Sequence, residues 1–154
     1  MKSIFTVAVM SLILSKRVLA SEAFFPAKVI AELTASGGFV PNPELKSGIR
    51  IQVDGSVLEF RDGKTTVLAK LSPAKISSLL KEVNKTQPAK LELENPEGPE
   101  CADIPTVSYT IRKKTGETVE IAREENCKAA YLANGEGRLI VEILKGLNKL
   151  TFLD

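Results

Sequence analysis

The clearest alternation of apolar and polar positions runs over residues 49–71. Ile49, Ile51 and Val53 alternate with Arg50 and Gln52, and the same period carries through Leu58, Phe60, Thr65, Val67 and Ala69. A period of two marks a strand with one buried face. Asp54-Gly55 and Asp62-Gly63 interrupt the run as two-residue hairpin turns, and each sets a register. Both registers put Ile49, Ile51, Val53, Leu58 and Phe60 on one face, with Val57 and Leu68 as apolar intruders on the other. The pattern predicts a three-strand meander with that face buried.

Other segments read less cleanly. Over residues 27–34, Val29, Ala31 and Leu33 face one way and Lys28, Glu32 and Thr34 the other, with Ile30 out of step; this predicts a strand. Residues 90–94 alternate and predict a short strand. Residues 106–123 predict a hairpin around Lys114-Thr115-Gly116, a loop with glycine in the left-handed position. Its register sets Ile111 opposite Val119, Tyr109 opposite Ile121 and Val107 opposite Arg123. Extended, it places Cys127 opposite Asp103, one diagonal step from Cys101 and on the face of Tyr109 and Ile111. A disulfide bordering the core is then geometrically accessible.

Two segments have helical period. Ser72 is a good N-cap and Pro73 suits the first helical position. Ile76, Leu79, Leu80 and Val83 follow as one apolar stripe, and Pro88 stops the run. Residues 138–150 carry a wider stripe of Leu139, Ile140, Ile143, Leu144, Leu147 and Leu150. Residues 128–137 have no clear period. The expectation is one α+β domain over residues 27–154. It has an antiparallel sheet of hairpins and a meander, two helices packed on one face, and one disulfide.

The chain begins with Lys2, an apolar run over residues 4–14, and Val18-Leu19-Ala20, the layout of a secretory signal peptide over residues 1–20 cleaved before Ser21. Residues 21–26 read as a flexible N-terminus. The apolar run falls short of the ~20 residues a membrane span needs, so no span is expected after cleavage. Losing Lys2, Lys16 and Arg17 turns the formal charge of +2 slightly acidic. Export to a periplasmic or secreted location favours pairing of Cys101 with Cys127, which would stabilise a small domain by roughly 3–4 kcal/mol.

The 154 residues contain no histidine. That removes Ser-His-Asp and Cys-His nucleophile systems and histidine metal sites, so no enzyme, metal or cofactor is expected. A near-neutral charge balance gives no footprint for nucleic acid, and Arg112-Lys113-Lys114 reads as a solvated hairpin tip. Two irregular loops remain as binding candidates. Residues 35–43 hold Ser36, Gly37, Gly38 and Phe39, where glycine allows close backbone approach and the aromatic ring offers an anchor. Residues 95–105 hold Glu97, Glu100 and Asp103, which lack the ligand spacing of a calcium loop.

A strand runs into Ser36-Gly37-Gly38-Phe39, then come alternating strands and a Leu-Ser-Pro-entered helix with Leu79-Leu80. Asp103, Tyr109-Thr110-Ile111 in a hairpin and a terminal apolar helix complete the order. This layout resembles the emfourin family, small bacterial proteins that inhibit thermolysin-like metallopeptidases. Val40-Pro41 departs from the Ala-Gly expected after the phenylalanine, and the long meander, cysteine pair and export signal are additions. The resemblance implies an exported binding domain that occludes a protease cleft with its loops. Ser36 to Pro41 would act first and Glu97 to Asp103 second, with another protein, a protease, as partner. The alternative is an envelope-associated interaction module with a different partner.

Overall fold

The computed structural model describes residues 29–37 and 46–150. The expected leader, the flexible start, Ala27, Lys28, Gly38, Phe39, Val40 and Pro41 lie outside the described residues. So does the end of the domain at 151–154. The first meander comprises β1 (Val29–Ser36), β2 (Ser47–Gln52), β3 (Ser56–Arg61) and β4 (Lys64–Lys70). Helix α1 (Pro73–Lys85) then leads to β5 (Leu91–Leu93) at the opposite edge. The second meander is β6 (Thr106–Arg112), β7 (Thr118–Glu125) and β8 (Lys128–Leu132), followed by α2 (Arg138–Leu150). All pairings are antiparallel. Together they make one eight-stranded sheet in the order β4-β3-β2-β1-β6-β7-β8-β5.

Both helices pack on the same core. Helix α2 contacts β1, β2 and β7, and α1 contacts β1 and α2. Between them and the sheet lie Ile49, Ile51, Tyr109, Ile111, Ile121 and Leu144, all essentially inaccessible to solvent. Each such side chain contributes roughly 1.5–3 kcal/mol by leaving water. The N-cap of α1 forms as its sequence dictates, with Ser72 Oγ accepting from the Lys75 amide at 3.4 Å. In α2 the stripe is rotated from the expected one. Val141 is fully buried with Ile140 and Leu144, whereas Leu139 is 61% exposed.

The meander departs from its expected register at the first turn. Asp62-Gly63 forms the two-residue turn, with both residues at positive φ and Arg61 paired to Lys64. Asp54-Gly55 does not. There the loop is Val53-Asp54-Gly55, closed by Gly55 N–H donating to the Gln52 carbonyl at 3.0 Å. The Asp54 carboxylate accepts from the Ser56 amide and hydroxyl, both at 2.9 Å, which holds it below the usual carboxylate range. Gly55 lies against Leu71, whose amide donates to the Gly55 carbonyl at 2.8 Å. A Cβ on Gly55 would stand 2.7 Å from the Leu71 carbonyl oxygen. The extra loop residue moves β3 by one position. Val57, opposite Ile51, enters the core, while Leu58 and Phe60 turn to the helix-free face beside Arg50 and Val53 is left 48% exposed.

The second hairpin keeps its turn and loses its later register. Ile111 pairs with Val119 as expected, and Gly116 at φ +89 closes the loop onto Lys113. A bulge then sets Tyr109 opposite Ala122 and Val107 opposite Glu124. It allows consecutive residues Ile121 and Ala122 both to be buried. Residues 128–132, without period in the sequence, form β8.

On the helix-free face, Arg50 Nε pairs with Glu32 at 2.7 Å and its guanidinium carbon lies 3.9 Å from the centroid of the Phe60 ring. Phe60 in turn covers Gly48, where any side chain would collide with the Leu33 carbonyl oxygen at 1.9 Å.

Candidate functional site

The strand pairing brings the end of β1 and the start of β6, where the two candidate loops are rooted, to one end of the sheet. β1 ends at Ser36 and β6 begins at Thr106, and these two residues are partners in the ladder. The loop leaving β1 and the loop entering β6 therefore start side by side. The β3–β4 turn and the β7–β8 turn open at the same end, since Arg61, Glu125 and Leu93 all finish strands there. Ser36 itself is the last residue of β1 and not a loop residue. Gly37 follows at φ +80, a left-handed exit that glycine adopts without strain.

Residues 94–105 cross this end from β5 to β6. Glu94 N–H donates to the Ala129 carbonyl at 2.9 Å, and Gly98 N–H to the Asn95 carbonyl at 3.2 Å. Cys101 N–H donates to the Asn126 carbonyl at 3.1 Å. Lys128 is the post beneath the arch. Its ammonium donates to the Pro96 carbonyl at 3.0 Å and to the Glu100 carboxylate at 2.8 Å. That ammonium holds the Glu100 carboxyl below its usual range. Glu97 and Asp103 are exposed, and Asp103 stands at φ +61. A shallow depression of about 190 Å³ beside the arch is lined by Leu93, Glu100, Arg123 and Lys128 among others. Arg123 is itself held by Glu120 through two bonds of 2.8 and 2.9 Å.

The disulfide joins Cys101 to Cys127, with Cα atoms 5.4 Å apart. Its placement differs from expectation. Cys127 is not opposite Asp103. It is the second residue of a two-residue β7–β8 turn in which Asn126 and Cys127 have φ of 52° and 63°. The side chain of Cys127 is exposed and that of Cys101 half-buried, so the bridge sits at the loop end and not on the core face. The cross-link ties the acidic loop to a hairpin tip.

The three acids are not brought together as a ligand set. Glu100 is engaged by Lys128, and among the described residues no group of three Asp, Glu or Cys side chains is placed to hold a metal ion. Sequence reasoning missed Lys128 and the Asn126-Cys127 turn. Asparagine is a left-handed former, but cysteine in the second position carries no turn signal. Among the described residues no helix is long and apolar enough to cross a membrane. Set against known proteins, the chain matches no family model, no curated protein and no solved structure.

Proposed function

We propose that this is an exported, non-enzymatic binding domain whose working surface is the loop end of the sheet, and that its partner is a protein with a cleft, a thermolysin-like metallopeptidase. The observation that carries the reading is the Ser36–Thr106 pairing, which sets the roots of the two candidate loops side by side on one ladder. Binding residues concentrate on loops held by a scaffold, because ordering them in advance lowers the entropy lost on association. The disulfide, the Lys128 bridges and the Cys101–Asn126 bond fix one of the two loops in this way. The chain's lack of histidine and its emfourin-like layout favour inhibition over catalysis.

The test is to titrate purified protein into thermolysin-like peptidases and follow peptide hydrolysis. The expected result is stoichiometric slowing that is weakened by Glu97→Arg, an exposed change that leaves the fold intact. Unaltered hydrolysis at micromolar protein across several such peptidases would refute the reading.

A further inference from the structure

The end of the sheet opposite the loop end carries a second concavity. There the β6–β7 turn, the β2–β3 loop, the start of β1 and the last turns of α1 meet around a groove of about 530 Å³. That size lies within the range of small-molecule sites. The turn is not the solvated tip that its sequence suggests. The Lys113 side chain is largely buried and pairs with Glu117 at 3.2 Å, and the Lys114 amide donates to Asn84 Oδ1 at 3.2 Å, which docks the turn on α1. The floor of the groove is apolar, with Val29 and Ile30 buried and Leu80 half-buried. Val53, the residue left exposed by the longer β2–β3 loop, completes it.

The charge around this floor has one sign. Arg112, Lys113 and Lys114 follow one another along the rim, and among the described residues that line the groove there is no carboxylate. Glu117 offsets one of the three, Lys113. Lys114 is exposed. Arg112 is half-buried, and among the described residues it forms no ion pair. It also borders a smaller hollow of about 120 Å³ on the helix-free face, beside Thr110 and Thr118. The other arginine of that hollow, Arg50, is already held by Glu32. A guanidinium placed like that of Arg112 is weakly hydrated and presents a planar fork that an oxyanion fits.

We propose that this groove binds a carboxylate carried on an alkyl chain, a fatty acid of medium length. Its head lies on Arg112, with Lys114 as a second cation, and its chain lies along Val29, Ile30, Val53 and Leu80. Two features select that chemistry. The one-signed rim attracts an anion and repels a cation. The floor offers apolar side chains and few partners for a peptide backbone, since Asn84 Oδ1 already accepts from Lys114. A peptide in this groove would leave N–H and C=O groups unpaired, at a cost, whereas an acyl chain has none to satisfy.

The experiment titrates decanoate, below its micelle concentration, into the purified protein and follows methyl and arginine side-chain signals by NMR. Saturable one-to-one shifts are expected at Val29, Ile30, Val53 and Leu80 and at the Arg112 Nε–H. Octanoate should bind about threefold to tenfold more weakly, the worth of two methylenes partly buried in an open groove. The same chain without charge, 1-decanol, should bind roughly tenfold or more weakly than decanoate. Arg112→Gln should weaken decanoate by a similar factor and Val53→Asp should abolish its binding, both with unchanged circular dichroism spectra. The ligand comparisons on the unaltered chain decide the matter if a variant does not fold. No saturable shift at millimolar decanoate overturns the proposal. Shifts confined to Leu139 and Leu147 overturn it too, because they would place the ligand in the groove between α1 and α2, which also carries lysines. So does equal binding of 1-decanol, which would leave Arg112 without a role, or tighter binding of the tripeptide Gly-Gly-Leu, which would assign the groove to a peptide terminus.

Discussion

Replacing Cys101 and Cys127 by serine tests the cross-link as an entropic device. The bridge spans a sequence separation of 26 residues. Loop closure of that length in the unfolded chain corresponds to about 3.5 kcal/mol at room temperature. The native state should lose little beyond this. Cys127 is exposed and Cys101 half-buried, so losing the sulfur bond opens no cavity in the core, and the Lys128 bridges still hold the arch. The expected loss is therefore about 3.5 kcal/mol, a large share of the 5–15 kcal/mol typical of a domain. For a domain of this size that is a fall in Tm of roughly 10–20 °C. Urea unfolding of the Cys101→Ser, Cys127→Ser variant beside the oxidised protein measures it. The denaturant slope should rise, because the uncrosslinked chain exposes more surface when unfolded. A loss below about 1 kcal/mol with an unchanged slope refutes the entropic account. A loss well above about 5 kcal/mol would mean that the bridge holds native contacts directly, against its surface position.

Three further outcomes follow from particular contacts. Gly48→Ala should cost about 3 kcal/mol or prevent folding, because its Cβ meets the Leu33 backbone oxygen at 1.9 Å; Gly146→Ala, in open helical surroundings, should gain about 0.5–1 kcal/mol in the same thermal-melt series. The Glu100 carboxyl should titrate below its ordinary 4.5 in carbon-detected NMR and move back towards it in Lys128→Met. Because its folded value is depressed, the stabilisation is present above the ordinary value and is lost as pH falls through the folded one, so the difference between the two proteins vanishes in acid. Burial, with Glu124 nearby, raises the Tyr109 phenol well above its ordinary 10.0. Its stabilising effect is complete below that value and is lost as pH rises beyond it, so ultraviolet titration should find Tyr109 un-ionised until the fold opens.

Local chemistry determined much of this fold, and the sequence is legible where that is so. Ser72 and Pro73 begin α1, Asp62-Gly63 turns β3 into β4, and Lys114-Thr115-Gly116 turns β6 into β7, the last with the Lys114 amide also donating to the Asn84 side chain at 3.2 Å. Legibility failed where a distant partner intervened. The Asp54-Gly55 turn lengthened because Leu71 packs on Gly55 and Asp54 binds Ser56, and one added loop residue exchanged the faces of Val57 and Leu58. The hairpin register slipped because adjacent Ile121 and Ala122 are both buried, which alternation alone does not anticipate. At the candidate site, the loops were visible as glycine and proline clusters, but their adjacency was not. It depends on Ser36 meeting Thr106 across 70 residues of chain, and no local pattern encodes that pairing.

The central β1–β6 ladder has a kinetic consequence. Each meander is built from neighbours in sequence, so each can pair internally by short loop closures. The two meet only through β1 and β6, where Ala31 pairs with Ile111. Until that ladder closes, both β1 and β6 present a bare edge, and these are the two edges that the finished sheet hides most deeply. The disulfide lies wholly on the later side of this seam, linking Cys101 to Cys127 within the stretch that holds β6 and β7. Oxidation can thus staple the second half before it meets the first. In this topology the pairing that joins the two halves of the sheet is the one that must close across the longest stretch of chain.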